Sequence, residues 1–247
     1  MSSTQAREHL ALALDLPLPA AKELYQAVSP HVGYVKIGLS LFVEHGPAAV
    51  DSFAAMGAKI FLDLKLHDIP NTVELAATWA AQIGAALITV HAQGGRAMIE
   101  AACAGARAGA NKRHLKAPKV LAVTVLTSLK ATDLQQVGYA HNLKALVERL
   151  GRLAIDAGAD GLVCSANEAG SLRSALGKKV FLCTPGVRMA TDPRHDQARV
   201  QSPRFAIEQG ADLLVVGRPI YESPDPSTAA QAICEEIADA LAGSSVF

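Results

Sequence analysis

Short runs of Leu, Val and Ile alternate along the chain with longer, alanine-rich stretches whose apolar positions recur at helical spacing. Eight apolar runs occur, at residues 10–16, 34–38, 59–65, 86–92, 119–126, 161–166, 179–184 and 213–218. The amphipathic stretches span 19–29, 41–56, 70–83, 96–108, 143–157, 168–176, 202–209 and 226–241. Gly-Ala pairs at 57–58, 84–85, 158–159 and 210–211 precede four of the runs, where a glycine ends a helix and turns the chain back into a sheet. Eight strand–helix units in 247 residues predict an α/β fold, a (β/α)8 TIM barrel. A doubly wound open sheet is the structural alternative. No Gly-, Pro- or Ser-rich linker divides the chain, so residues 1–247 read as one barrel domain.

The third run carries the densest chemistry. Residues 59–72 read KIFLDLKLHDIPNT. Ile60, Leu62 and Leu64 alternate with Phe61, Asp63 and Lys65, so on a strand Asp63 and Lys65 share one face and the aliphatic residues take the other. Asp68 follows beyond the strand, and Pro70 suits the first turn of a helix. Two carboxylates thus bracket one lysine where a barrel keeps its active site. Charges on a buried strand face are costly unless paired, and pairing alone seldom stabilises more than an apolar substitute would.

Composition narrows the classes of function. Half the residues are hydrophobic and 19% are charged, enough for a large core and against disorder. With 23 basic and 23 acidic side chains there is no basic excess, and neither nucleic acid nor a membrane surface is expected as a partner. The cysteines at 103, 164, 183 and 234 form no C-x-x-C pair, and read as reduced core thiols rather than metal ligands. The N-terminus is polar and the apolar run after it contains Asp15, so no signal peptide is read and a cytoplasmic protein is expected.

Chemistry in such barrels sits where strands end and the following loops begin. The predicted ends supply Asp15, Lys36, Asp63 with Lys65, His91, Thr127 with Ser128, Ser165, Arg188 beyond Pro185-Gly186, and Gly217 with Arg218. Two connections, 127–142 and 185–201, are longer than usual and read as binding loops. Lys36, Asp63, Lys65 and Asp68 form either a structural salt-bridge network or a preassembled array of alternating charge. In the second case flanking carboxylates favour the protonated form of Lys65, which suits a proton donor and not a Schiff-base nucleophile. Gly217-Arg218 after the eighth strand, with Arg188 and Gln197 nearby, reads as a phosphate cradle, against the plainer reading of a strand-end glycine and a surface arginine. Thr127 and Ser128 either cap a helix or read the amide edge of a heterocycle. His67 and His91 read as satisfied structural histidines. No pair of side chains has metal-ligand spacing with a convincing third partner, although Asp15, Asp63 and Asp68 together could hold Mg2+.

These strings resemble the orotidine 5′-monophosphate decarboxylase family along essentially the whole chain. The resemblance is carried by A-L-D at 13–15, V-K-I-G at 35–38, F-L-D-L-K-L-H-D-I-P-N-T at 61–72, V-T-V-L-T-S at 123–128, T-P-G-V-R at 184–188, D-Q at 196–197 and V-V-G-R-P-I at 215–220. It implies a cofactor-free, metal-free decarboxylase of orotidine 5′-monophosphate in which Lys65 protonates C6 of the pyrimidine and Asp63 crowds the substrate carboxylate. Lys36 and Asp15 would contact the ribose and orient the charges, and Thr127 and Ser128 would meet the ring. Arg188, Gln197, Gly217 and Arg218 would grip the phosphate. The resemblance also implies a homodimer in which Asp68 and Thr72 reach the neighbouring site. Two rivals stay open: a Mg2+-dependent sugar-phosphate decarboxylase resembling the 3-keto-L-gulonate 6-phosphate group, which shares the D-x-K-x-x-D string, and a non-catalytic phospholigand-binding barrel.

Overall fold

The structure, a computed structural model, describes residues 3–139, 142–189 and 201–244. After a short helix α1 (Ser3–Ala6) the chain runs β1 (Leu10–Leu14), α2 (Leu18–Val28), β2 (Tyr34–Ile37), α3 (Leu39–His45), α4 (Pro47–Ala54), β3 (Lys59–Leu66), α5 (Pro70–Gln82) and β4 (Ala85–His91). It continues through α6 (Gly95–Arg113), β5 (Lys119–Val123), α7 (Ala131–Gln136), α8 (Leu143–Asp156), β6 (Gly161–Val163), α9 (Ala166–Leu176) and β7 (Phe181–Pro185). The last elements are α10 (Pro203–Glu208), β8 (Leu213–Val216), α11 (Arg218–Tyr221) and α12 (Pro226–Ser244). All strands are parallel, and β8 pairs with β1, closing an eight-stranded barrel. The barrel reading holds and the open-sheet alternative does not.

Strand alternation sorts the apolar residues into two cores. Leu10, Leu12, Leu14, Ile60, Leu62, Ile88 and Val90 face the surrounding helices. Ala11, Ala13, Phe61, Leu87, Leu121, Cys183, Leu213 and Val215 fill the barrel interior. Small side chains on β1 opposite Phe61 on β3 let this inner layer close. Above it, on the same inward faces, stand the polar residues at the ends of the strands.

Most boundaries lie within two or three residues of the expected ones, and the larger differences have local causes. The stretch 41–56 is two helices, because Gly46 adopts φ +57° and Pro47 starts a new helix at its first turn. The stretch expected over 96–108 extends to Arg113, its end complemented by Lys112 and Arg113. The glycines of the four Gly-Ala pairs all have φ between +82° and +90°, the left-handed helix-ending conformation their placement implied. The connection after β5 contains the helix α7, and its N-terminus is held by the Asp133 carboxylate, which accepts from the Lys130 N–H at 2.7 Å. After β7, Val187 and Gln201 form a parallel bridge that pins the two ends of the long connection together. All four cysteines are buried, and none forms a disulfide. Among the described residues no helix is long and apolar enough to cross a membrane.

Candidate active site

A cavity of about 260 Å3 opens at the C-terminal ends of the strands. Its floor is Ala13, Phe61, Cys183 and Val215 from the inner core, and its walls include Asp15, Lys36, Asp63, Lys65, Thr127, Arg188, Gly217 and Arg218. Eight of the residues singled out from the sequence therefore converge on one chamber, from six different strands or the loops that follow them.

Asp63 is the centre of that chamber. Its carboxylate is buried, with Oδ2 2.8 Å from Lys65 Nζ and 3.4 Å from Lys36 Nζ. Oδ1 accepts from the Thr89 hydroxyl on β4 at 2.9 Å. Burial works to raise the Asp63 carboxyl, but Lys36, then Lys65 and the hydrogen bonds from Lys65 and Thr89, outweigh it and hold the group below the ordinary carboxylate range. The geometry thus stores an ionised acid between two cations in a low-dielectric pocket.

Lys65 is placed by an irregular backbone. It adopts φ +51°, one of two non-glycine residues with positive φ among those described. That conformation costs a lysine on the order of 1–2 kcal/mol, and such outliers concentrate at functional sites. The side chain is 29% exposed, open on the cavity side and paired on the other. Lys36 depends on a glycine: a methyl group at Gly38 would meet Lys36 Nζ at 3.1 Å and Asp15 Oδ1 at 3.6 Å. The V-K-I-G string is in this sense a steric unit.

Other expected residues lie elsewhere. Asp68 and Thr72 are exposed at the rim, and Asp68 accepts from the Ile69 N–H at 2.7 Å. Among the described residues of one chain, Asp63 alone is the carboxylate paired with Lys65, and Asp68, past the end of β3, does not bracket it. For the same reason Asp15, Asp63 and Asp68 do not assemble, and no group of three or more metal-ligating side chains comes together among the described residues. Ser128 is exposed beside the cavity and does not line it. Neither Thr127 nor Ser128 caps α7, whose N-terminal flanking residue is Lys130. Gln197 lies outside the described residues. His91 is not the satisfied histidine expected: its buried Nδ1 has no partner among the described residues, and its ring lies 5.4 Å from that of His67. Burial, then His67 and Lys65, lower the His91 pKa.

Two contributors were missed in the sequence. Thr89 is a single hydroxyl in an otherwise apolar run, and its inward parity with Leu87 and His91 was the available signal. Tyr221, on the wall beside Pro219, follows Arg218 by three residues and carried no signal.

Comparison with known proteins gives a family for the chain. Residues 8–233 match the sequence profile described as "Orotidine 5'-phosphate decarboxylase / HUMPS family". A protein of Anaeromyxobacter sp. (strain K) named "Orotidine 5'-phosphate decarboxylase" is 53% identical over 227 residues, covering 92% of this chain and 96% of that protein. One of the same name from Moorella thermoacetica (strain ATCC 39073 / JCM 9320) is 44% identical over 239 residues, covering 96% of this chain and 95% of that one. The crystal structure of "Orotidine 5'-phosphate decarboxylase from Lactobacillus acidophilus" superposes with a TM-score of 0.83 at 37% identity, covering 92% of this chain and 98% of that one.

The depressed Asp63 carboxyl gives a test by pH. A group whose folded pKa lies below its unfolded value adds stability above the unfolded value, about 4, and loses it as pH falls through the folded one. Asp63→Asn leaves two ammonium groups without their counter-charge. It is expected to unfold about 1–3 kcal/mol more easily at pH 7, less than for a fully buried pair because Lys65 is 29% exposed. Urea unfolding across pH checks this: the gap from the parent protein should shrink in acid, and a gap independent of pH would contradict the assignment.

Proposed function

The chain belongs to the orotidine 5′-phosphate decarboxylase / HUMPS family, and we propose that it converts orotidine 5′-monophosphate to uridine 5′-monophosphate and CO2 without metal or organic cofactor. The observation that carries this reading is the buried carboxylate of Asp63 held between Lys36 and Lys65 in the wall of a cavity that Arg188 and Arg218 also line. Residues 1–247 act as one barrel domain in the cytoplasm.

The chemistry demands such an array. Breaking the C6–carboxylate bond leaves its electron pair on C6 as a vinyl-type carbanion with no ring position to accept it. The barrier must fall by something on the order of 20 kcal/mol, among the largest accelerations known. A cation already fixed beside C6 stabilises the charge as it forms, without reorganisation. Lys65 takes that role and delivers a proton from Nζ to C6; solvent then restores the ammonium. Asp63, ionised before substrate arrives, repels a carboxylate placed against it, and that repulsion ends when CO2 leaves. Lys36 and Asp15, packed together against Gly38, meet the ribose, and Thr127 with Ser128 meets the pyrimidine edge. Arg188, Gln197, Gly217 and Arg218 hold the phosphate, whose binding energy keeps the reacting end in place.

The Mg2+-dependent sugar-phosphate alternative is opposed by Lys36. Its ammonium lies 3.4 Å from Asp63, where a divalent cation would be repelled. A metal-free site also suits the two ammonium groups that already occupy Asp63 Oδ2.

A homodimer completes the site in this reading. Leu39 and Val43 on α3, Ile69, and Leu75 and Trp79 on α5 are exposed apolar residues, and Ile69 and Leu75 lie near Asp68 and Thr72 along the chain. An apolar cavity of about 300 Å3 lies between α3, α4 and α5 beside them. Exposed apolar surface of this kind marks a contact. A second copy seated there brings Asp68 and Thr72 toward the partner's chamber, where Asp68 supplies the second carboxylate beside Lys65.

Three experiments test these roles. An absorbance assay with orotidine 5′-monophosphate in the presence of EDTA should show full turnover, and Lys65→Ala should abolish it while still binding uridine 5′-monophosphate; a strict Mg2+ requirement, or activity retained without Lys65, would overturn the reading. Arg218→Ala should weaken uridine 5′-monophosphate by about 10-fold or more while leaving uridine within about 3-fold, since only the nucleotide presents a phosphate; calorimetry gives both constants. Mixing inactive Lys65→Ala and Asp68→Ala chains should restore part of the activity, because one site of each mixed dimer is then intact; no recovery after demonstrated subunit exchange would remove Asp68 from the neighbouring site.

A further inference from the structure

The ladder between β3 and β4 is broken at one place. Leu62 pairs with Ile88 and the next registered pair is Leu66 with Val90. Three residues of β3, Asp63, Leu64 and Lys65, therefore stand against the single residue Thr89 of β4. This is a bulge of two extra residues on β3, and Asp63 and Lys65 both lie within it. The Lys65 N–H leaves the ladder there, in a left-handed backbone that a lysine rarely adopts. A buried N–H without an acceptor is strongly disfavoured. Its acceptor is the Thr89 hydroxyl, at 2.9 Å.

Thr89 is fully buried, and its Oγ1 also lies 2.9 Å from Asp63 Oδ1. A backbone N–H only donates, so Oγ1 must accept from Lys65 and turn its own proton to Asp63. Oδ2 of Asp63 faces the two ammonium groups. Both oxygens are thus met by donors, which favours the ionised form of the acid. A valine would fill the same space in the inner layer and could do none of this.

We propose that Thr89 is a positioning residue for the decarboxylation, one hydroxyl that fixes the left-handed backbone of Lys65 and the orientation of Asp63. The proposal rests on the function argued above. It assigns to β4 a part in the charge array that the strand-end residues of β1, β2, β3 and β8 do not supply. The groups that face Asp63 are Lys36 from β2, Lys65 from β3, Thr89 and His91 from β4 and Cys183 from β7. Of these, Thr89 alone touches both the carboxylate and the lysine backbone.

The test is Thr89→Val in the full-length protein, with Thr89→Ser as the conservative partner. Thr89→Val should lower kcat by about 10- to 100-fold, as small misplacements of reacting groups do, with KM and inhibition by uridine 5′-monophosphate within about 3-fold. The acid limb of its kcat/KM profile should move to higher pH, because Asp63 loses a donor to its ionised form. Thr89→Ser should restore both. A kcat and an acid limb equal to the parent's in Thr89→Val, or a Thr89→Ser as impaired as Thr89→Val, would overturn the proposal. If Thr89→Val does not fold, Thr89→Ala carries the same expectations. Failure of the parent protein to release CO2 would instead overturn the functional reading. The positioning role is then read from a crystal structure of the variant: Lys65 should leave the left-handed region or separate from Asp63, and an unchanged Lys65 φ with an unchanged Asp63 contact would refute it.

Discussion

A carboxylate largely withdrawn from water at the top of a barrel stays ionised when cations and hydrogen-bond donors are brought to it, and Asp63 is surrounded on that principle. Lys36 reaches it from β2, Lys65 from its own strand and Thr89 from β4. Each of these contacts constrains something else in the chain. Lys36 requires the bare Cα of Gly38 beside it. Lys65 requires a break in the β3–β4 ladder and a left-handed residue. The parallel barrel supplies the rest, because it aims the ends of neighbouring strands at one point.

The cluster is a poor way to stabilise a protein, since an apolar set of similar volume would serve as well or better. Its organisation makes sense as a charge pattern prepared ahead of a reaction. An ammonium fixed beside an ionised acid does not need to move or reorient when negative charge appears on a bound ring. The apolar floor below, with Phe61 and Cys183, keeps the local dielectric low and the interactions strong. Raising the Cys183 thiol well above its ordinary range, burial and the nearby Asp63 carboxylate keep it neutral in that floor.

The loops divide the remaining labour. Those after β7 and β8 carry the arginines, far from Asp63 in sequence but on the same chamber. The connection after β3 turns outward instead, placing Asp68 and Thr72 on a rim flanked by exposed Ile69, Leu75 and Trp79. Within the string D-L-K-L-H-D-I-P-N-T, Asp63 and Lys65 thus line the barrel cavity while Asp68 and Thr72 lie exposed beyond the strand.

Period and spacing by themselves predicted eight strand–helix units and a barrel, with a doubly wound open sheet as the alternative that only the pairing of β8 with β1 removed. They also determined that Asp63 and Lys65 share a face, because strand parity is local. The strand-end rule found Asp15, Lys36, Thr127, Arg188, Gly217 and Arg218, which do meet in one cavity. Tertiary structure alone decided which carboxylate pairs with Lys65, because Asp68 is near it in sequence yet beyond the strand in space. It alone revealed the bulge opposite Thr89, since register between two strands is a property of their pairing and neither strand carries it. Local periodicity sets which way a side chain points, and only closure of the barrel sets what it meets.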